Sequence, residues 1–206
     1  MSARTPEALP PAETMNATQS GILLTQAATF LEGVTAEVVY YTFSLRPDTQ
    51  GTPHVELNLA TINQELTRGL TVGQDGYSLV ETDAGIISYR YKFVSKNIVL
   101  QEHGIHRPTA AAAIGGLARL VGETNLPIIR VWGSELDYMN SEKTWLGIEA
   151  IGPKEPEQLV ELDAYLLKYQ AQEMAPGYYE LSLDVPDSGG DAQSYRYKVN
   201  YDLYPN

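Results

Sequence analysis

Five residues, Ser88-Tyr89-Arg90-Tyr91-Lys92, return unchanged as Ser194-Tyr195-Arg196-Tyr197-Lys198 near the end of the chain. An internal echo narrows the choice of architecture more than local propensity does, because it implies one supersecondary unit used twice. Within each copy the residue types alternate. Tyr89, Tyr91 and Phe93 oppose Arg90 and Lys92, and Tyr195, Tyr197 and Val199 oppose Arg196 and Lys198. A period of two is that of a β-strand with one face toward a core.

Further pairs flank the echo. Gly76-Tyr77 precedes the first copy and Gly177-Tyr178 the second, 101 positions later, while the pentapeptides lie 106 apart. The apolar runs starting at Val38 and Ile128 are offset by 90, and two helix-like stretches ending at Gly33 and Gly122 by 89. An offset that grows along the chain is what a duplicated module leaves once its second copy has gained insertions. Two unrelated sheets sharing a bias toward Tyr and Lys would be the other origin.

Residues 1–19 hold Pro6, Pro10 and Pro11 without a periodic apolar face, which predicts a disordered or extended N-terminal arm. A first α+β module then spans 20–101. It opens with a helix from Ser20, whose stripe is Leu23, Ala27, Phe30, Leu31 and Val34 and whose stop is Gly33. Strands follow over 36–45 and 54–60, with Val55, Leu57 and Leu59 facing inward, then one or two helical turns from Asn63 to Arg68. A hairpin about Thr82-Asp83-Ala84-Gly85 closes the module. Residues 102–108 read as a linker and 109–206 as a second module. There a helix from Thr109 to Val121 stops at Gly122, with Gly115-Gly116 permitting close packing, and strands follow over 126–133 and 144–151. A helix from Glu155 to Glu173 has Pro156 near its start and acids in its first turns. A hairpin across Pro186 to Gln193 ends the chain. The expected fold class is therefore α+β, two similar modules, each an antiparallel sheet with helices packed on one face.

The 206 residues carry a net charge of −12, so nucleic acid and anionic membrane surfaces are not expected partners. With no cysteine, disulfides, thiolate metal sites and cysteine nucleophiles are excluded. No apolar run approaches the ~20 residues of a membrane span, and the N-terminal stretch lacks the basic flank and apolar core of a signal peptide. A soluble chain, cytoplasmic or part of a particle, is the expectation.

Signatures of chemistry are sparse. The three histidines are His54, His103 and His106; the last two are close in sequence but lack the i, i+4 spacing of a helix-borne zinc pair and any accompanying carboxylate motif, so they read as a polar linker. Ser134, in Gly133-Ser134-Glu135, lacks the second glycine of a nucleophile elbow. The run from Asp187 to Asp191 is too short for a calcium loop and lacks its terminal glutamate. No phosphate loop or dinucleotide fingerprint occurs. No catalytic residue, metal ligand or cofactor is assigned.

His103-Gly104 leading into the alanine-rich helix and then into antiparallel strands, over residues 100–151, resembles the hot-dog fold of acyl-thioesterases. The resemblance implies a helix wrapped by a sheet and an acyl-thioester substrate held in a deep apolar pocket beside the helix Thr109 to Val121. Ile105 stands where that family has a second glycine, and the helix lacks the acidic residue that many members use as catalytic carboxylate.

The leading expectation is instead a non-catalytic structural or protein-interaction subunit, partnered by protein in a homo-oligomer or a larger assembly such as a phage-like particle or tail. Its candidate interaction residues are Tyr89, Arg90, Tyr91, Lys92, Tyr195, Arg196, Tyr197 and Lys198, four of them among only 14 basic residues. A basic stripe in an acidic surround can receive an acidic patch from another subunit. Equally, charged strand positions keep sheet edges from pairing promiscuously.

Overall fold

A computed structural model describes residues 14–33, 38–62, 64, 66–94, 109–135, 144–186 and 192–201. Helix α1 (Ala17–Gly33) leads into strands β1 (Val38–Pro47), β2 (Pro53–Thr61), β3 (Asp75–Thr82) and β4 (Gly85–Phe93). Helix α2 (Thr109–Thr124) leads into β5 (Ile128–Glu135) and β6 (Thr144–Ala150). Helix α3 (Pro156–Lys168), β7 (Gln172–Ala175), β8 (Tyr178–Pro186) and β9 (Ala192–Asn200) complete the described elements.

The α+β class holds, but two separate antiparallel sheets do not. All nine strands form one sheet in the order β3-β4-β2-β1-β5-β6-β9-β8-β7. The two halves join because β1 pairs antiparallel with β5, Leu45 against Val131 and Tyr41 against Glu135. Nor is either half wholly antiparallel. β2 runs parallel to β4, and β6 parallel to β9. The cause is the long connection after β2 and after β6, which carries the chain past its neighbour before the hairpin returns, as a parallel pairing requires. Read outward from the β1/β5 seam, both halves have the same order: a first strand, its antiparallel partner, a parallel neighbour, and that neighbour's hairpin mate.

α1 and α2 lie side by side on one face of the sheet. Phe30 of α1 stacks on Tyr89 of β4 with ring centroids 3.7 Å apart, and the Tyr197 hydroxyl of β9 donates to the Ala113 carbonyl of α2 at 3.1 Å. The helices touch at Gly21, where a Cβ would stand 3.0 Å from the Ala118 carbonyl oxygen and 3.1 Å from Gly122 Cα. Inward residues of the strands, such as Phe43, Leu57, Ile87, Val131, Ile148 and Val199, are buried against Leu23, Leu24, Ile114 and Leu117 of the helices. Burial of this kind contributes about 25 cal/mol per Å² of apolar surface and is what holds the sheet to the helices.

Several boundaries differ from the sequence reading for local reasons. α1 begins at Ala17, ahead of Ser20, because the Asn16 side chain accepts from the Gln19 amide at 3.0 Å and so caps it. Just before it, Met15 makes a two-bond bridge with Ile128 and is buried. α2 continues through Gly122 and stops at Asn125, which takes a left-handed φ of 58°. The helix expected to reach Glu173 ends at Lys168; Gln170 has φ 51°, and the next residues form the short edge strand β7. Between β2 and β3 the described residues from Gln64 to Gly69 are turns, not helix. Among the described residues no helix is long and apolar enough to cross a membrane.

Candidate functional site

The repeated tyrosine strands are β4 and β9, each third in its half from the seam. Their tyrosines point into the core: Tyr89, Tyr195 and Tyr197 are buried and Tyr91 is half-buried. Burial pushes the Tyr89 and Tyr197 hydroxyls well above the ordinary tyrosine range. These rings are therefore packing residues on their own strands, and what they leave outside is the charged row. Arg90, Lys92 and Arg196 are exposed, and Lys198 is half-buried. Five strand spacings separate β4 from β9, about 24 Å at ~4.8 Å per strand. The four basic residues therefore form two patches on the outer face rather than one.

Arg90 lies in a polar depression of about 340 Å³ that the sequence did not reveal. Its other lining residues are His54, Glu56, Leu57 and Asn58 of β2, Tyr77 of β3 and Ser88 of β4. The pleat explains the grouping. His54, Glu56 and Asn58 alternate with the buried Val55, Leu57 and Leu59, while Ser88 and Arg90 take the same outer side of β4. The parallel register sets Glu56 beside Ser88 and Asn58 beside Arg90, and Tyr77 faces Arg90 across the β3–β4 hairpin. At its centre His54 Nε2 lies 2.6 Å from Ser88 Oγ, and the Tyr77 hydroxyl donates to the same oxygen at 3.4 Å. A second depression of about 190 Å³ shares Asn58 and Arg90 and adds Thr42, Asp75 and Lys92, so the two form one trough across four strands.

On the outer face of the other half, the part over β5 and β6 is covered. Trp132 of β5 lies over Gly147 of β6, where a Cβ would collide with the indole. The Arg130 guanidinium stacks 4.6 Å from the Trp132 ring centroid and bonds Glu149 at 3.1 Å.

A third polar group joins α3 to α2. Glu123 accepts from the Tyr169 hydroxyl and from Lys168 Nζ at 3.0 Å, with Arg119 at 3.7 Å, and the Tyr165 hydroxyl donates to the Leu120 carbonyl at 3.0 Å. Partial burial by itself would raise the Glu123 pKa, but the Tyr169 and Lys168 hydrogen bonds and the two cations outweigh it and bring it below the ordinary carboxylate value. The geometry is that of a clamp between helices.

Beside α2 lies an open groove of about 480 Å³ bounded by Ile22, Thr25, Ala118 and Gly122, between the two helices and not a deep apolar pocket. His103, His106 and the run from Asp187 to Asp191 lie outside the described residues. Among the described residues, no group of three or more His, Asp or Glu is placed to hold a metal. Ser134 sits half-buried in β5, two strands from His54 and four residues away along β1.

His54, Ser88 and Tyr77 were missed because each is ordinary alone. Period-two alternation placed His54, Glu56 and Asn58 on one face, but the parallel pairing of β2 with β4 had no local signal. No family model, no curated protein and no solved structure matches this chain.

Proposed function

We propose that the chain is a non-catalytic structural subunit that assembles with further copies of itself through the open edge of β3. The observation that carries this is the character of that edge. β3 runs eight residues in continuous register with β4, and among the described residues its other side has no neighbour. Its Tyr77, Leu79 and Val80 are 60%, 48% and 40% exposed, Tyr77 and Leu79 on the outer face and Val80 on the inner. Edge strands are ordinarily guarded by Pro, Lys, a bulge or short length. β3 has no proline, lysine or bulge, whereas the opposite edge, β7, is four residues long with a register shift. An antiparallel edge can pair with its own copy about a two-fold axis, the commonest homo-oligomeric symmetry. Arg90 and Lys92, one strand in beside the Asp75 end of β3, are the basic groups toward which an antiparallel partner would bring its Glu81.

An internal duplication underlies this reading. It is supported by the shared strand order and by the places of the two tyrosine strands. The insertion of α3 and β7 in the second half, where the described residues of the first are turns, accords with the growth of the sequence offset from 90 to 101, and the longer β8–β9 connection with the rest, to 106. A duplicated subunit with one open and one closed edge suits pairwise assembly.

Sedimentation velocity of the full chain tests the assembly. The expected result is a dimer at tens of micromolar that Leu79→Lys converts to monomer with an unchanged thermal midpoint. A wild type that stays monomeric up to millimolar concentration would overturn it.

A further inference from the structure

The trough on the outer face borders the β3 edge and shares Tyr77, Asp75, Arg90 and Lys92 with it, but its chemistry points to a small ligand rather than to a strand. Arg90 and Glu56 both line it, yet among the described residues neither side chain makes a hydrogen bond or an ion pair, with the other or elsewhere. Asn58 carries an amide with both donors and an acceptor, also without a described partner. The floor is different. Ser88 is buried and engaged by both His54 and Tyr77, so the imidazole and the phenol are held in position before anything binds. Fixed polar groups at the base and unengaged ones at the rim make a preorganised site, since little rotamer freedom is lost at the base on binding.

Charge selects among ligands. Arg90 and Lys92 are balanced by Glu56 and Asp75 across the two connected depressions. A dianion such as phosphate would meet two carboxylates, and a polycation two basic groups. Donors and acceptors alternate over the surface, as suits a ligand whose every group is both. Tyr77, with more than half its surface exposed, adds an apolar ring at the wall. Such a ring packs against the C–H face of a sugar while its hydroxyl remains hydrogen-bonded. The larger depression, at about 340 Å³, falls at the lower end of small-molecule sites, ~300–1,000 Å³. We propose that the outer-face trough formed by His54, Glu56, Asn58, Tyr77, Ser88 and Arg90 is a binding site for a neutral saccharide. The contrast with the second half supports it: over β5 and β6, Trp132 and Arg130 cover Gly147 and Glu149, where the first half leaves Asn58 and Glu56 open.

The test uses the full chain, fluorescently labelled, on a printed array of neutral, acidic and amino-sugar glycans. Hits are remeasured by calorimetry with the free oligosaccharide. Wild type is expected to retain a set of neutral glycans, with affinity falling at least tenfold in Tyr77→Ala and in Glu56→Gln. Ser182→Ala, on the outer face of β8, should leave it unchanged. Thermal midpoints of all three variants separate lost binding from lost fold. No neutral glycan held above the Tyr77→Ala background, or binding confined to acidic glycans, would overturn the proposal. So would binding that Ser182→Ala weakens as much as Tyr77→Ala does.

Discussion

Gly115 and Gly116 are adjacent in α2, and replacing each by alanine should move stability in opposite directions. Alanine is favoured over glycine in a helix interior by about 1 kcal/mol. At Gly115 a new Cβ meets nothing within 4 Å, so that gain should appear nearly in full. At Gly116 the Cβ would overlap the Tyr197 hydroxyl and lie 2.9 Å from its Cζ and 3.0 Å from Val185 Cγ2. Tyr197 is fully buried and its hydroxyl is tied to the Ala113 carbonyl, so it cannot swing aside without leaving that bond. Overpacking costs about 1–3 kcal/mol and the lost hydrogen bond about 0.5–1.5 kcal/mol. Against the helix gain, Gly116→Ala should be net destabilising by about 2 kcal/mol. For a chain of this size each kcal/mol moves the thermal midpoint by about 2–4 °C. Calorimetry should therefore show a fall of about 4–8 °C for Gly116→Ala and a rise of about 2–4 °C for Gly115→Ala. Tyr197→Phe supplies the control. Alone it costs about 1 kcal/mol, but combined with Gly116→Ala its cost should shrink toward zero, because the hydroxyl that collides has been removed. A Gly116→Ala protein as stable as Gly115→Ala, or strict additivity with Tyr197→Phe, would refute the packing of β9 on α2 argued above.

Two further outcomes concern pH. Glu123 has its folded pKa depressed, so its contribution is present above the unfolded carboxylate pKa and lost as pH falls through the folded value. Glu123→Gln should lower the urea midpoint at pH 7, with the gap to wild type closing on acidification below pH 4; a constant gap would exclude a charge-based clamp. Tyr89, Tyr197 and Tyr201 have hydroxyls raised chiefly by burial, so stability is full below the unfolded tyrosine pKa near 10 and declines as pH rises beyond it. An alkaline titration followed by phenolate absorbance should show these rings ionising together with loss of circular dichroism. Smooth ionisation of all 14 tyrosines while the fold persists would contradict their burial.

Strong local patterns were legible in the chain, and pairings between distant segments were not. The alternation in Tyr89 to Phe93 and in Val55 to Leu59 sorted inner from outer faces correctly, because the pleat is a property of each strand by itself. The turn at Thr82 to Gly85 was equally local: the Thr82 hydroxyl bonds the backbone of Ala84 and Gly85 within the turn. By contrast, nothing in β2 says that β4 will lie beside it in parallel, since that depends on where the intervening chain travels. The continuous helix expected through Glu173 failed for a related reason. Leu166 and Tyr169 satisfy helical spacing, but the Gln170 and Ala171 amides bond back to the Leu167 and Leu166 carbonyls, turning the chain out of the helix so that Gln172 can start an edge strand. Gly122 was read as a stop because glycine often ends helices, yet the helix runs on through it and Asn125 takes the left-handed residue's place.

The polar trough follows from the same distinction. Each of its residues is commonplace on a strand surface, and the trough exists only because the crossover brings β2 and β4 together in a register that puts His54 within reach of Ser88. In the second half the same arrangement of strands presents a different surface, since Trp132 can lie flat over Gly147 and draw Arg130 onto its face. A large ring opposite a glycine closes the sheet there. In the first half Glu56 and Asn58 stand beside Ser44 and Thr42, side chains too small to cover them, and the polar groups stay open to solvent. In the second half Arg130 is covered by an indole face and paired with Glu149, whereas Arg90 and Glu56 are exposed and, among the described residues, their side chains make no ion pair. That the first half keeps the open arrangement, with a buried serine fixed at its base, is the reason to look there for a ligand.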